Sequence, residues 1–195
     1  MSMSFISFTC IIYIIVTNVK HILKNFSFVE VKPHKLFQPS QTRWLSLYAC
    51  VKRVLGQWNA LKLYFQGEHL IDNHAKNIHI KLINPIYHFY LNFLEFVLPI
   101  FTNLNLEFQS QKPKIHQIYN KMSAVYRTLL DCYIKPDYLK KHDICEIQYR
   151  NSIHYLPNDQ IYLGGKCMTD LSNNIIKNNE KDGLISFIND FRLTP

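Results

Sequence analysis

From Trp44 onward, apolar residues return every three or four positions. Trp44, Leu47, Tyr48, Val51, Val54, Leu55, Trp58 and Leu61 share one side of a 3.6-residue period, which predicts an amphipathic helix of about five turns. Ser40, Gln41 and Thr42 supply N-cap chemistry ahead of it, and Lys52, Arg53, Gln57 and Lys62 occupy its other face. Gly56 falls inside this stretch and weakens it, because glycine costs ~1 kcal/mol in a helix interior. A shorter helix is expected from Asp72 toward Leu82, ended by Asn84-Pro85, since the residue before a proline is pushed out of the helical region. Then Ile86, Phe89, Tyr90, Phe93, Val97, Ile100, Phe101, Leu104 and Phe108 make a long stripe. Tyr87, Leu94 and Phe96 widen it, so this helix should be buried on more than one side. Pro99 predicts a kink about one turn upstream, where the Glu95 carbonyl loses its donor.

The clearest helix follows Lys112-Pro113. Ile115, Ile118, Tyr119, Met122, Val125, Tyr126, Leu129, Leu130 and Tyr133 keep the three-four spacing, and Pro136 is expected to stop it. Lys140, Lys141, His142 and Asp143 mark a solvated stretch. Short helices are expected over Met168–Ile176 and Leu184–Phe191, joined by a polar run. The expected core is Trp44, Val51, Trp58, Phe93, Val97, Phe101, Ile118, Met122, Val125 and Leu129. Strand alternation is weak everywhere outside Phe26–Val31, and Asn25–Pro39 with its two prolines reads as irregular. The fold class is predominantly α.

The start of the chain is different. Phe5–Val16 is apolar throughout, but a bilayer span needs ~20 residues. It lacks the basic n-region and small-x-small site of a signal peptide. It reads as a weakly packing helix or strand, with a short membrane anchor and a replacement N-terminus unrelated to the rest of the chain as the alternatives. The organisation expected is an apolar segment over 1–24, a helical domain over 25–175 and a tail with a short helix over 176–195.

Composition narrows the functional classes. A chain of 195 residues and 23.2 kDa, 48% hydrophobic and 18% charged, is one folded domain rather than a disordered segment. Five glycines leave no room for a Gly-rich nucleotide fold. The charge is uneven: residues 1–66 hold eight basic side chains against one acid, Glu30, whereas the remainder holds 14 basic and 13 acidic. An anionic partner is therefore expected at the first third. Five cysteines without a C-x-x-C support neither a disulfide framework nor a zinc finger and fit a reduced compartment.

The candidate chemistry is sparse. His69, His74 and His79 are five apart, which turns ~500° per step and spreads them around a helix. His142-x-x-Cys145 is a ligand pair without a second pair nearby, so no metal site is expected. Cys132 lies late in a helix, where a core thiol is the simpler reading than a nucleophile. Strand transfer on nucleic acid needs two or three carboxylates around divalent metals. Only Glu30 precedes Trp44, and the later acids read as solvated helix-face residues.

One stretch is more specific. Pro39–Leu47 (PSQTRWLSL), continuing YACVKRVLGQWNALKLYF to Phe65, resembles the P-x-x-T-R-W-x-S segment of hAT-superfamily transposases, particularly their host-derived BED-finger and SCAN-type relatives. The likeness continues through Leu91–Gln111, then KPKIHQIYNKM, the IKP beginning at Ile134, and Leu156–Gly165 (LPNDQIYLGG). The resemblance implies the helical insertion domain that interrupts an RNase H-like catalytic domain. In that family two catalytic aspartates precede the T-R-W segment and a glutamate follows the insertion. Here no aspartate lies upstream of Thr42, so a non-catalytic, truncated copy without a complete RNase H-like core is expected, with no cofactor.

The family's tryptophan at this position stacks on a base of the flanking DNA, which places that role at Trp44 beside Arg43; Trp44 also reads as the first core residue of its helix. The DNA-binding candidates are Arg43, Trp44, Lys52, Arg53 and Lys62. Their expected partner is DNA, held weakly and without sequence preference, in a nuclear or cytoplasmic protein. A protein-interaction role, a membrane tether and a fragment of a full-length transposase are the alternatives.

Overall fold

The three-four periodicity produces helices, but the chain cuts them shorter than the pattern alone suggests. The computed structural model describes residues 44–68, 73–109 and 115–178, and these are predominantly helical. Seven α-helices run through the described residues: α1 (Trp44–Gly56), α2 (Trp58–Glu68), α3 (Asn73–Ile83), α4 (Pro85–Phe108), α5 (Ile115–Leu130), α6 (Pro136–Lys141) and α7 (Gly165–Asn178). Two 3₁₀ turns, Ser152–His154 and Asn158–Gln160, separate α6 from α7. The apolar run Phe5–Val16, the Phe26–Val31 alternation, the caps at Ser40–Thr42 and Asp72, and the Leu184–Phe191 helix lie outside the described residues. No helix among those described is long and apolar enough to cross a membrane.

The expected five-turn helix is two helices. At the junction the Gln57 N–H reaches back three residues to the Val54 carbonyl at 3.2 Å, and Leu61 N–H then bonds the Gln57 carbonyl at 2.9 Å. The tightened turn falls next to Gly56, where helix propensity is lowest. Val51, Val54, Trp58 and Leu61 remain buried across the break.

Asn84 ends one helix and starts the next. Its backbone is extended (φ −75°, ψ 116°), and its Oδ1 accepts from the Ile86 N–H at 3.0 Å. Pro85 occupies the first helical position, where its missing N–H has no partner to lose. The helix α4 that follows is 24 residues long and continues through Pro99 to Phe108.

Helix α4 has two working flanks, as its wide stripe predicts. Leu91, Leu94 and Leu98 pack with Val51, Val54, Trp58, Leu61 and Phe65 of α1 and α2 and with Ile78 and Leu82 of α3. On the other flank Phe89, Tyr90 and Phe93 meet Ile161, Leu163, Cys167 and Met168. A third cluster, Leu130, Ile134, Leu139 and Ile147, lies under Tyr126, Tyr133, Tyr138 and Tyr155.

The third cluster explains why α5 stops at Leu130 instead of running on through Tyr133. The chain unwinds so that Ile134 can pair with Tyr155 in one antiparallel bridge. Lys135 N–H bonds the His154 carbonyl and Leu156 N–H bonds the Tyr133 carbonyl, each at 2.8 Å. Cys132, expected late in the helix, sits in this turn, buried and bonded through Sγ to the Thr128 carbonyl at 3.3 Å.

The expected core is only partly buried. Val51 and Trp58 are inside, while Phe93, Val97, Val125 and Leu129 are half-buried. Phe101, Ile118 and Met122 are exposed. Periodicity reports that a helix has an apolar face; it does not report that another element covers it. The first half of α5 shows this most clearly, with Ile115 and Tyr119 also exposed.

Gly164 connects the LPNDQIYLGG segment to α7. Its φ is +91°, and a Cβ there would lie 2.6 Å from Phe96 Cβ on α4. Both the backbone and the contact require glycine. Gly164→Ala should therefore lower stability by about 2–4 kcal/mol through backbone strain and overpacking. Gly165→Ala, where an added Cβ meets nothing within 4 Å, should lower it by less than about 1 kcal/mol. Urea denaturation midpoints of the two variants measure the difference.

Candidate functional site

The basic residues singled out from the sequence are divided between two helices. Arg43 lies outside the described residues, as does the side chain of Trp44, whose backbone begins α1. Lys52 on α1 is exposed and Arg53 is half-buried. Arg53 lies close enough to Cys50 for its charge to act on the thiol, although burial is stronger and pushes that thiol up. Lys62 follows the break at Gln57 and so belongs to α2. It is half-buried, with Nζ 6.0 Å from the centroid of the Trp58 ring, the outer reach of a cation–π contact.

The strongest polar constellation lies between α4 and α7. His88 and Asn92 are four residues apart on α4 and so share one face. Across from them, on α7, is Asp170. His88 Nδ1 is 2.7 Å from Asp170 Oδ2, Asn92 Nδ2 donates to the same oxygen, and the two donors are 3.3 Å apart. Asn92 is buried, and the His88 and Asp170 side chains are each 29% exposed. The Trp58 ring lies 5.1 Å from the His88 ring at a 49° tilt.

Three effects compete at His88. Burial pushes its pKa below the ordinary value of 6.5; the Asp170 carboxylate pulls it up by charge and hydrogen bond; the Lys62 charge pushes it down again. Burial prevails. The short contact is thus a neutral imidazole whose Nδ1–H donates to a carboxylate, and Nε2 keeps its lone pair.

A second pair reinforces the same seam. Lys166 Nζ lies 3.2 and 3.1 Å from the two oxygens of Glu95, and Glu95 is only 14% exposed. Between these pairs Cys167 is buried and its Sγ donates to the Phe89 carbonyl at 3.5 Å. Burial, and secondarily the Asp170 charge, pushes this thiol up to about 12.

This seam corrects the expectation that the acids are solvated face residues. Asp170 and Glu95 tie two helices together. An imidazole oriented by a carboxylate is also how a general base is held. The thiol one turn away, however, is protonated at neutral pH and committed to a carbonyl, so it supplies no nucleophile. The arrangement acts as a polar latch. Two polar residues four apart within the apolar stripe of α4 were its only sequence signal, because Asp170 is 78 positions further on.

Other candidates separate in the structure. His142 Nδ1 bonds the Tyr138 carbonyl at 2.9 Å, whereas exposed Cys145 has its Sγ 3.8 Å from the Tyr119 hydroxyl. Among the described residues no group of three or more His, Cys, Asp or Glu side chains could hold a metal ion.

The latch predicts a pH dependence. In the window below the ordinary histidine value of ~6.5, the unfolded chain takes up a proton at His88 that the folded chain resists. Stability should be complete above that value and fall as pH drops through the window. Urea midpoints between pH 8 and 5 should slope downward toward acid, and His88→Gln should flatten that slope. Comparison of the chain with protein-family models, with curated proteins and with solved structures finds no match.

Proposed function

We propose that this chain is a non-catalytic helical domain derived from an hAT-type transposase, which contacts DNA weakly and without sequence preference. The reading starts from the segments resembling that family. The observation that carries it is that these same segments pack on one another. Residues 39–65 contribute Leu47, Val51, Trp58 and Phe65 to the core, residues 91–111 contribute Leu91, Leu94 and Leu98, and residues 156–165 contribute Ile161 and Leu163. A family likeness spread over unrelated surface loops would have no such consequence.

The non-catalytic part is supported by the use made of the acids. Asp170 and Glu95 are engaged in pairing α7 with α4, and Glu107 pairs with Lys121 at 3.0 Å between α4 and α5. Carboxylates that hold catalytic metals have to converge on one another; these are dispersed, Glu95 and Glu107 paired with lysines and Asp170 with the neutral donors of His88 and Asn92.

The DNA contact is supported by the surplus of seven positive charges in residues 1–66 and by Lys52, exposed on the helix that follows the T-R-W motif. Charge of this kind attracts the backbone and reads no bases. Affinity for duplex DNA should fall steeply with salt, with a log–log slope of ~0.9 per neutralised phosphate. Lys52→Gln, alone and combined with Arg53→Gln, should weaken binding equally for all sequences and reduce that slope by about 1 per charge removed. Fluorescence anisotropy at several salt concentrations measures both. A preference for one duplex sequence that survives physiological salt would overturn the reading.

A further inference from the structure

The short helix α6 and the turn Ser152–His154 enclose an open cleft of about 530 Å³, lined among others by Lys135, Tyr138, Lys141, His142 and His154. It is remote in sequence from the basic first third and takes no part in the α4–α7 latch. Its centre is Tyr138. The His154 ring stacks on one side of it, with centroids 3.6 Å apart and planes 7° from parallel. His142 lies 4.2 Å away at a 38° tilt. The Tyr138 hydroxyl accepts from the Gln148 N–H at 3.2 Å, which fixes the ring in place.

The hydrogen bonds determine which polar atoms remain for a ligand. His142 Nδ1–H donates to the Tyr138 carbonyl, so Nε2 is the nitrogen left over. Lys135 Nζ donates to the Ile153 carbonyl at 2.8 Å, which holds its positive charge at the rim beside His154. Lys141 is exposed at the end of α6. Two lysines face one carboxylate here, Asp137, so the cleft is cationic before either imidazole takes up a proton.

This chemistry selects a class of ligand. Two imidazoles lie against the Tyr138 ring, and the ammonium groups of Lys135 and Lys141 line the same cleft. A compact oxyanion gains charge-assisted hydrogen bonds from the ammonium groups of Lys135 and Lys141, and from an imidazole only in its protonated form. We propose that this cleft binds a phosphate group, with Lys135 as its fixed cation, Lys141 as its adjustable one, and His142, once protonated at Nε2, and His154 as flanking donors. The phosphodiester backbone of DNA is one source of that group, and this assignment of source rests on the function proposed above; a free phosphate compound is the other. The phosphate chemistry itself stands without that reading.

The test is a titration of the full chain with pyrophosphate, read by the imidazole ring signals in ¹H–¹³C NMR. His142 and His154 should shift saturably while His116, on α5 and away from the cleft, stays in place. Lys141→Gln should weaken binding by about tenfold, roughly one charge-assisted contact, and Lys141→Arg should retain it. Lys141 is exposed, so neither variant threatens the fold; Lys135→Gln, which also loses the bond to Ile153, serves as the second probe. A short oligonucleotide that displaces pyrophosphate identifies the backbone as the source, and one that leaves it bound identifies a free phosphate compound. Both results retain the site. Lys52→Gln alters only oligonucleotide binding, so failure of the DNA reading is distinguishable from failure of this one. Absence of a saturable His142 and His154 shift, or a shift of equal affinity in Lys141→Gln, would overturn the proposal.

Discussion

The structure depends on one helix being covered on two flanks. Helix α4 places Leu91, Leu94 and Leu98 against α1, α2 and α3, and Phe89 with the flank of Phe93 against the segment that leads into α7. A helix with one apolar stripe can lie on the edge of a domain; a helix with two must be inside it. Every other described element is placed by which flank of α4 it meets or by the third cluster beside it. The close approach of Gly164 to Phe96 follows from this geometry, because the chain returning to α4 must pass within a methyl group's distance of its surface.

Two-sided burial also decides what happens to polar groups on α4. Asn92 is buried, and His88 and Glu95 are largely so. A polar group in such a place needs a partner to offset its desolvation. Helix α7 supplies hydrogen-bonding partners to all three: Asp170 to His88 and Asn92, Lys166 to Glu95. The latch contributes specificity as much as stability, since only one rotation of α7 brings Lys166, Cys167 and Asp170 onto α4 together. A carboxylate accepting two donors at a single oxygen is a positional constraint that apolar contact alone would not impose.

Local features of this architecture were legible in the sequence, and long-range ones were not. Asn84-Pro85 announced both a helix end and a helix start, because capping and proline geometry act within a few residues. The wide stripe around Phe89 and Phe93 announced two-sided burial. The break at Gln57 was only hinted at by Gly56, since whether a glycine is tolerated in a helix depends on tertiary packing. Exposure of Ile118 and Met122 could not be read at all: their spacing is ideal for a core face, and only the positions of other elements decide coverage. The latch failed for the same reason, as Asp170 looks like any surface aspartate until α7 is folded back. The cleft at α6 was visible only as a polar, basic stretch around Lys140 and His142. The stacking of His154 on Tyr138 requires the bridge between Ile134 and Tyr155, a contact between residues 21 apart.

The functional reading follows the same division. The segments on which the proposed origin is argued build the core, and the basic side chains that would meet an anion, Lys52, Arg53 and Lys62, lie on other faces of the same helices, α1 and α2. The claim on which everything rests is therefore that α4 is the last element to open. Native-state amide hydrogen exchange tests it directly. The amides of Leu91–Leu98 should exchange slowest in the chain, at the free energy of global unfolding, with those of α1 and α7 no slower. Amides of Leu91–Leu98 that exchange by a lower-energy opening, while α1 or α5 stays protected, would contradict it.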